Sequence, residues 1–235
     1  MSTSFASPLS ARALALPLLA LALSSTFAAP AHAQCPELGP VQVFTGAGTT
    51  SCPCFVAGEE AGTVFNSIPA AQFPIEITKI GIAWGSAGGG QPQSLEDSIE
   101  IYNAGLPNPG APIFSLPGPV LTDGVINEFD VASQWPGLGP VIVTSTTFTV
   151  TLRIANTNNV PPYPPSMVHD GNGCTAGRNV VKVSGLGFFS ACALGVSGDW
   201  LVYVKYKPFC APALPGTPFC FGDGTLADHT TPCPC

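Results

Sequence analysis

The sequence predicts an all-β fold, an antiparallel β-sandwich followed by a small Cys-rich C-terminal tail. Three observations predict it. Apolar residues recur at every second position in several short runs; glycine and proline are dense, with 26 of each; and no amphipathic stretch of helical period follows residue 33. Glycine and proline at that density interrupt helices and supply turns between short strands.

The expected strands run in order. Short runs at 41–45 and 62–66 come first. In 75–84 the apolar phase jumps from Ile77 to Ile80, which predicts a bulge near Thr78 and Lys79. Residues 98–102 alternate Ile99 and Ile101 against Glu100, and 126–131 follow. The clearest strand is 147–154, where Phe148, Val150, Leu152 and Ile154 alternate with Thr147, Thr149, Thr151 and Arg153. That pattern predicts one buried and one wet face. The last two are 179–183 and 199–206, the latter setting Trp200, Val202, Val204 and Tyr206 against Leu201, Tyr203 and Lys205. Strands punctuated by glycine and proline in this way suit a sandwich.

The first 33 residues carry the pattern of a signal peptide. Arg12 is their only charge, an apolar run of 11 residues follows from Ala13 to Leu23, and Ala31-His32-Ala33 has the small-x-small pattern of a cleavage site. The run is too short to span a bilayer, which takes about 20 residues. Cleavage is expected before Gln34, and Gln34 argues against lipid attachment at Cys35, because that processing wants a small residue before the cysteine. The expected organisation is a signal peptide at 1–33, a Cys-containing segment at 34–61, the sandwich at 62–207 and a Cys- and Pro-rich tail at 208–235.

Cleavage would leave 202 of the 235 residues, carrying all 14 acidic and six of the seven basic ones. A chain this acidic offers no electrostatic footprint to nucleic acid. All nine cysteines follow the cleavage site: Cys35, Cys52, Cys54, Cys174, Cys192, Cys210, Cys220, Cys233 and Cys235. In an exported chain disulfides are their favoured fate, ahead of zinc held by the two Cys-Pro-Cys motifs. Cys174–Cys192 is the best candidate pair, closing a loop around the strand at 179–183. The two sulfurs of a Cys-x-Cys are expected to be too constrained to bond each other, so each motif is expected to bridge to other cysteines. The odd count leaves at least one cysteine free or paired outside the chain.

Two stretches carry a resemblance. The first comprises Phe73-Pro-Ile-Glu-Ile-Thr-Lys-Ile-Gly-Ile-Ala-Trp84, Ser98-Ile-Glu-Ile-Tyr-Asn-Ala-Gly105, Asn108-Pro-Gly-Ala-Pro-Ile-Phe114 and Ser197-Gly-Asp-Trp-Leu-Val-Tyr-Val204. In its strand and turn pattern it resembles the jelly-roll accessory and adhesin-type modules of secreted bacterial proteins. The second, Phe219-Cys-Phe-Gly-Asp-Gly224 with Cys233-Pro-Cys235, is similar to a short Cys-rich motif of large exported proteins of environmental bacteria. There the motif usually continues past the Cys-Pro-Cys, so the chain reads equally as one module of a larger protein. The resemblance implies a jelly-roll-like sandwich, an extracellular or cell-envelope location and a glycan or cell-surface component as partner. It implies no catalytic residues.

Candidate chemistry follows from the residue types. Glycan binding uses exposed aromatic faces, and Trp135 and Tyr163 sit in expected loops, whereas Trp84 and Trp200 sit on strand faces as core. Calcium is the one candidate cofactor, a structural ion held by hard oxygens from Asp170, Asn172, Glu96 and Asp97. Glu96, Asp97 and Glu100 also read simply as solvated turn and strand-face residues. His169-Asp170 falls in a Pro/Gly loop and is read as a loop histidine rather than half of a triad. Gly171-Asn-Gly-Cys-Thr-Ala176 matches a dinucleotide fingerprint on paper, but no helix is expected after it. Gly171 and Gly173 are read instead as turn residues with positive φ. The functional expectation is a secreted, non-catalytic sandwich with a surface- or glycan-binding or an extracellular structural role. The alternatives are a small secreted polysaccharide hydrolase and one module of a larger exported protein.

Overall fold

The computed structural model describes residues 36–46 and 49–209. The expected signal peptide, Cys35, and the tail cysteines Cys210, Cys220, Cys233 and Cys235 lie outside the described residues. Among those described are fifteen strands: β1 (Leu38–Gln42), β2 (Thr50–Ser51), β3 (Glu60–Phe65), β4 (Ile75–Gly85), β5 (Ser94–Leu95), β6 (Ser98–Tyr102), β7 (Phe114–Pro117), β8 (Val120–Leu121), β9 (Val125–Asp130), β10 (Val141–Val143), β11 (Phe148–Arg153), β12 (Ser166–His169), β13 (Asn179–Val183), β14 (Gly187–Ser190) and β15 (Val202–Pro208). A single helical turn, α1 (Val131–Gln134), follows β9.

The strands form two antiparallel sheets. In the seven-stranded sheet β4 is the organiser: β15 runs along one edge of it, and β9 and β10 along the other. The six-stranded sheet has the order β14-β13-β3-β11-β6-β7, and β5 and β8 form a small separate ladder. Inward residues of both sheets meet in one core, including Ile75, Ile77, Ile80, Ile82 and Trp84 of β4 and Phe148, Val150 and Leu152 of β11. The ladder between β15 and β4 passes from Lys205–Lys79 to Tyr206–Ile77, so Thr78 is the extra residue of a bulge. The bulge turns the isoleucines on both sides of it toward the core. β1 belongs to the same sheet as β15, so the segment at 34–61 contributes to the sandwich. Among the described residues no helix is long and apolar enough to cross a membrane.

Among the described residues two disulfides brace the chain, a feature more frequent in proteins of oxidising compartments. Cys174 and Cys192 are bonded across 18 positions of sequence, and closing a loop of that size contributes on the order of 3 kcal/mol. The other bond corrects the expectation for Cys-Pro-Cys, because Cys52 joins Cys54 directly. The cause is local. The Cys54 N–H donates to the Cys52 carbonyl at 2.8 Å, a turn that proline at the middle position favours. That turn brings the two Cα atoms to 5.2 Å, within disulfide reach.

The polar face of the six-stranded sheet also departs from expectation. Glu100 was expected to be solvated, but it is only 4 % exposed, as is Glu96 at 3 %. Glu96 accepts the Ala155 N–H at 2.7 Å, and burial raises its pKa. Glu100 accepts from the hydroxyls of Ser98 and Ser115. Beside it Glu60, 1 % exposed, accepts from Tyr102 Oη, Thr151 Oγ1 and Lys182 Nζ, each at 2.7 Å. Phe188 packs edge-on against Tyr102, and Lys182 lies over both rings. This face is therefore closed by a polar network of its own. Asp97 alone of the three acids stays half exposed, paired with Arg153 at 3.0 Å.

Candidate functional site

Among the described residues, the helical turn after β9 builds a groove with the features of a site. Asp130 caps α1 by accepting the Ser133 N–H at 2.9 Å, and that bond holds its carboxyl below the usual range. The Trp135 N–H ends the turn on the Val131 carbonyl. Its indole Nε1 donates to the Pro117 carbonyl at 2.8 Å, and its ring packs at 6.0 Å from Phe129. The indole is thus fixed on one side by the core and left half-buried. It lines a groove of about 460 Å³, within the range of small-molecule sites. The groove takes its charged residues from separate parts of the chain: Glu37 before β1, Glu76 of β4, Asp130 of β9 and Lys207 of β15. Lys207 pairs with Glu76 at 3.1 Å. Carboxylates, an ammonium and an indole side by side can hydrogen-bond hydroxyl groups and stack on the flat face of a sugar ring.

Of the residues expected to bind ligand, Trp135 is in this groove and Tyr163 is not among its lining residues. Tyr163 is 50 % exposed in the loop before β12, with a positive φ of 55°. Trp84 and Trp200 are buried core residues. Sequence reasoning missed Glu37, Glu76, Asp130 and Lys207. Of these only Asp130 carried a local signal, an aspartate three residues before Ser133 in the cap pattern.

The four expected calcium ligands do not form one set. Among the described residues no three His, Cys, Asp or Glu side chains converge to hold a metal ion. Asp170 accepts the N–H groups of Thr45 and Asp199, at 3.1 and 2.9 Å, one on each carboxylate oxygen. The Asn172 side chain contacts Thr45 Oγ1 and its backbone N–H faces Asp170. Glu96 and Asp97 are engaged with Ala155 and Arg153.

Asp170 instead belongs to a structural knot with Gly198, Asp199 and Trp200. Asp199 accepts from the Thr175 N–H and Oγ1 at 2.6 and 2.7 Å and from Asn179 Nδ2, while Asn179 Oδ1 accepts the Trp200 N–H. Gly198 allows the close approach, since a Cβ there would fall 2.2 Å from the Gly171 nitrogen. Gly171 and Gly173 have φ of 69° and 124°, the turn conformations expected of them. His169 ends a strand rather than sitting in a loop; the strand is formed by pairing with β2 and β4. Its ring packs edge-on against Trp200, and Nδ1 accepts the Gly171 N–H.

Burial holds the His169 pKa below the ordinary histidine value, with Asp170 acting in the opposite sense. The unfolded chain takes up a proton near pH ~6.5 while the folded chain stays neutral. Stability is therefore expected to fall as pH drops below about 6.5, until the folded-state pKa is passed. Glu96 has the opposite sign: its raised pKa makes stability fall as pH rises above 4.5. Urea midpoints measured across this range should show the histidine loss in the wild type, and His169→Gln should remove it. An unchanged slope in the variant would contradict the assignment.

No family model, curated protein or solved structure matches this chain.

Proposed function

We propose that this chain is an exported, non-catalytic β-sandwich that binds a glycan or a glycan-bearing surface through the Trp135 groove. The observation that carries the proposal is the indole itself: held by Pro117 and Phe129, half-buried, and set in a groove with carboxylates and a lysine. An aromatic ring fixed in advance loses little entropy on binding, and the charged neighbours suit hydroxyl groups. Export is supported by the leader pattern of residues 1–33 and by the two disulfides. A hydrolase would need two carboxylates about 5–10 Å apart that a substrate can reach. Of the three carboxylates lining the groove, Asp130 caps α1 with its carboxyl held below the usual range and Glu76 is paired with Lys207, which favours the binding reading.

A glycan array and pull-down on insoluble polysaccharides test it. The wild-type protein is expected to retain at least one polysaccharide. Trp135→Ala, with an unchanged circular dichroism spectrum, is expected to bind about tenfold or more weakly, as loss of a stacking aromatic implies. Retention of no glycan, or undiminished binding by Trp135→Ala, would overturn the proposal.

A further inference from the structure

On the outer face of the seven-stranded sheet a second aromatic ring lies beside the groove. Tyr203, Lys205 and Lys207 point outward from β15, alternating with the buried Val202, Val204 and Tyr206. Tyr203 is opposite Gly81, and Gly81 is opposite Glu128 on the far side of β4, so the three form one row across three strands. A Cβ on Gly81 would fall 2.2 Å from the Tyr203 ring. The ring therefore lies across the glycine, and its hydroxyl donates to Glu128 at 2.5 Å on the other side. Glycine at this position makes a flat aromatic seat on the sheet, where any other residue would lift the ring away.

Rows of ion pairs connect this seat to the groove. Lys205 and Lys79 both reach Glu128, at 2.8 and 3.5 Å, and Lys79 faces Glu37 at 3.9 Å. Lys207 and Glu76 form the next row, and Glu37, Glu76 and Lys207 line the groove. The stripe holds three lysines against Glu37, Glu76, Glu128 and Asp130. Its charges nearly cancel, which suits a chain of hydroxyl groups better than a polyanion. The strand from Tyr203 to Lys207 covers about 13 Å, more than a single sugar ring spans.

Resting on the glycan-binding reading, we infer that Tyr203 and Trp135 are two subsites of one surface, and that its ligand is a linear, uncharged glycan chain rather than a single sugar or a chain end. Each additional unit reaching from one ring toward the other adds contacts, so affinity grows with chain length.

The test uses linear gluco-, xylo-, manno- and N-acetylglucosamine oligosaccharides of two and six units, titrated calorimetrically against the mature protein. In the series that binds, the six-unit chain is expected to bind about tenfold or more tightly than the two-unit chain. Tyr203→Ala should remove most of that difference, and Tyr203→Phe, which keeps the ring, should retain most of it. Equal affinity for both lengths in the wild type overturns the inference whether or not the alanine variant folds. So does a length dependence untouched by Tyr203→Ala. In both cases a Trp135-dependent affinity would leave the glycan-binding reading standing. Absence of binding in every series would remove both.

Discussion

Replacing Asp199 with alanine is expected to destabilise the protein by roughly 2–3 kcal/mol. The carboxylate is 3 % exposed and accepts three hydrogen bonds, from the Thr175 N–H, Thr175 Oγ1 and Asn179 Nδ2. Alanine would leave the buried Asn179 Nδ2 with only its longer bond to the Thr175 carbonyl, a loss of about 1–3 kcal/mol, whereas Thr175 is exposed and its two donors can turn to water. It would also loosen Asn179, whose carbonyl oxygen accepts the Trp200 N–H in the core. Asp199→Asn keeps one acceptor oxygen for the Thr175 N–H and Asn179 Nδ2 and should cost less, because only the Thr175 hydroxyl then meets the amide nitrogen, and a hydroxyl can rotate to accept from it. Urea denaturation of the three proteins checks the order. A loss below about 1 kcal/mol for alanine would mean that the knot around Gly198, Asp199 and Trp200 does not hold β12, β13 and β15 together.

The second large effect is expected at Glu60. Its carboxylate is 1 % exposed and takes a charge-assisted bond from Lys182 together with the hydroxyls of Tyr102 and Thr151. Tyr102 is itself fully buried, and burial together with the Glu60 carboxylate raises its pKa, so it remains a donor. Removing the acceptor strands the phenol and the threonine hydroxyl, while Lys182 still has solvent on one side. Glu60→Ala is therefore expected to lose about 3–5 kcal/mol. The converse change, Lys182→Met, leaves a buried carboxylate with neutral donors only. The double variant Glu60→Ala with Lys182→Met should lose less than the sum of the two single losses, because no uncompensated buried charge remains. Additive losses would show that the pair is not coupled.

These two sites show where the sequence is legible and where it is not. The strands with strict alternation at 98–102 and 147–154 coincide closely with β6 and β11, the shorter run at 179–183 coincides with β13, and the phase jump between Ile77 and Ile80 marks the bulge at Thr78. Strands of two to four residues, such as β2, β5, β8 and β10, have too few positions to show a period and exist because a neighbour pairs with them. β12 was hidden between a proline-rich loop and Gly171-Asn-Gly173. Alternation also misreads Glu100 and Thr151. A polar residue at every second position signals a face unlike the core, but not whether water or other side chains cover it.

The candidate site divides in the same way. Trp135 was visible as an aromatic in a loop rich in proline and glycine. Its charged neighbours Glu37, Glu76 and Lys207 come from β4, β15 and the segment before β1, and only strand register brings them together. The seat of Tyr203 over Gly81 is likewise a consequence of register, since the two residues are 122 positions apart in sequence.

Trp135 is, on the proposed function, the glycan-contacting tryptophan. The most direct test is an NMR titration of the mature protein that follows the indole N–H signals of the three tryptophans. Trp84 and Trp200 are buried, and Trp135 alone lines the groove. Addition of an oligosaccharide of the glycan retained on the array is expected to shift the Trp135 signal, identified by its loss in Trp135→Phe, and to leave the other two in place. A saturating ligand that leaves the Trp135 signal unmoved would contradict the account.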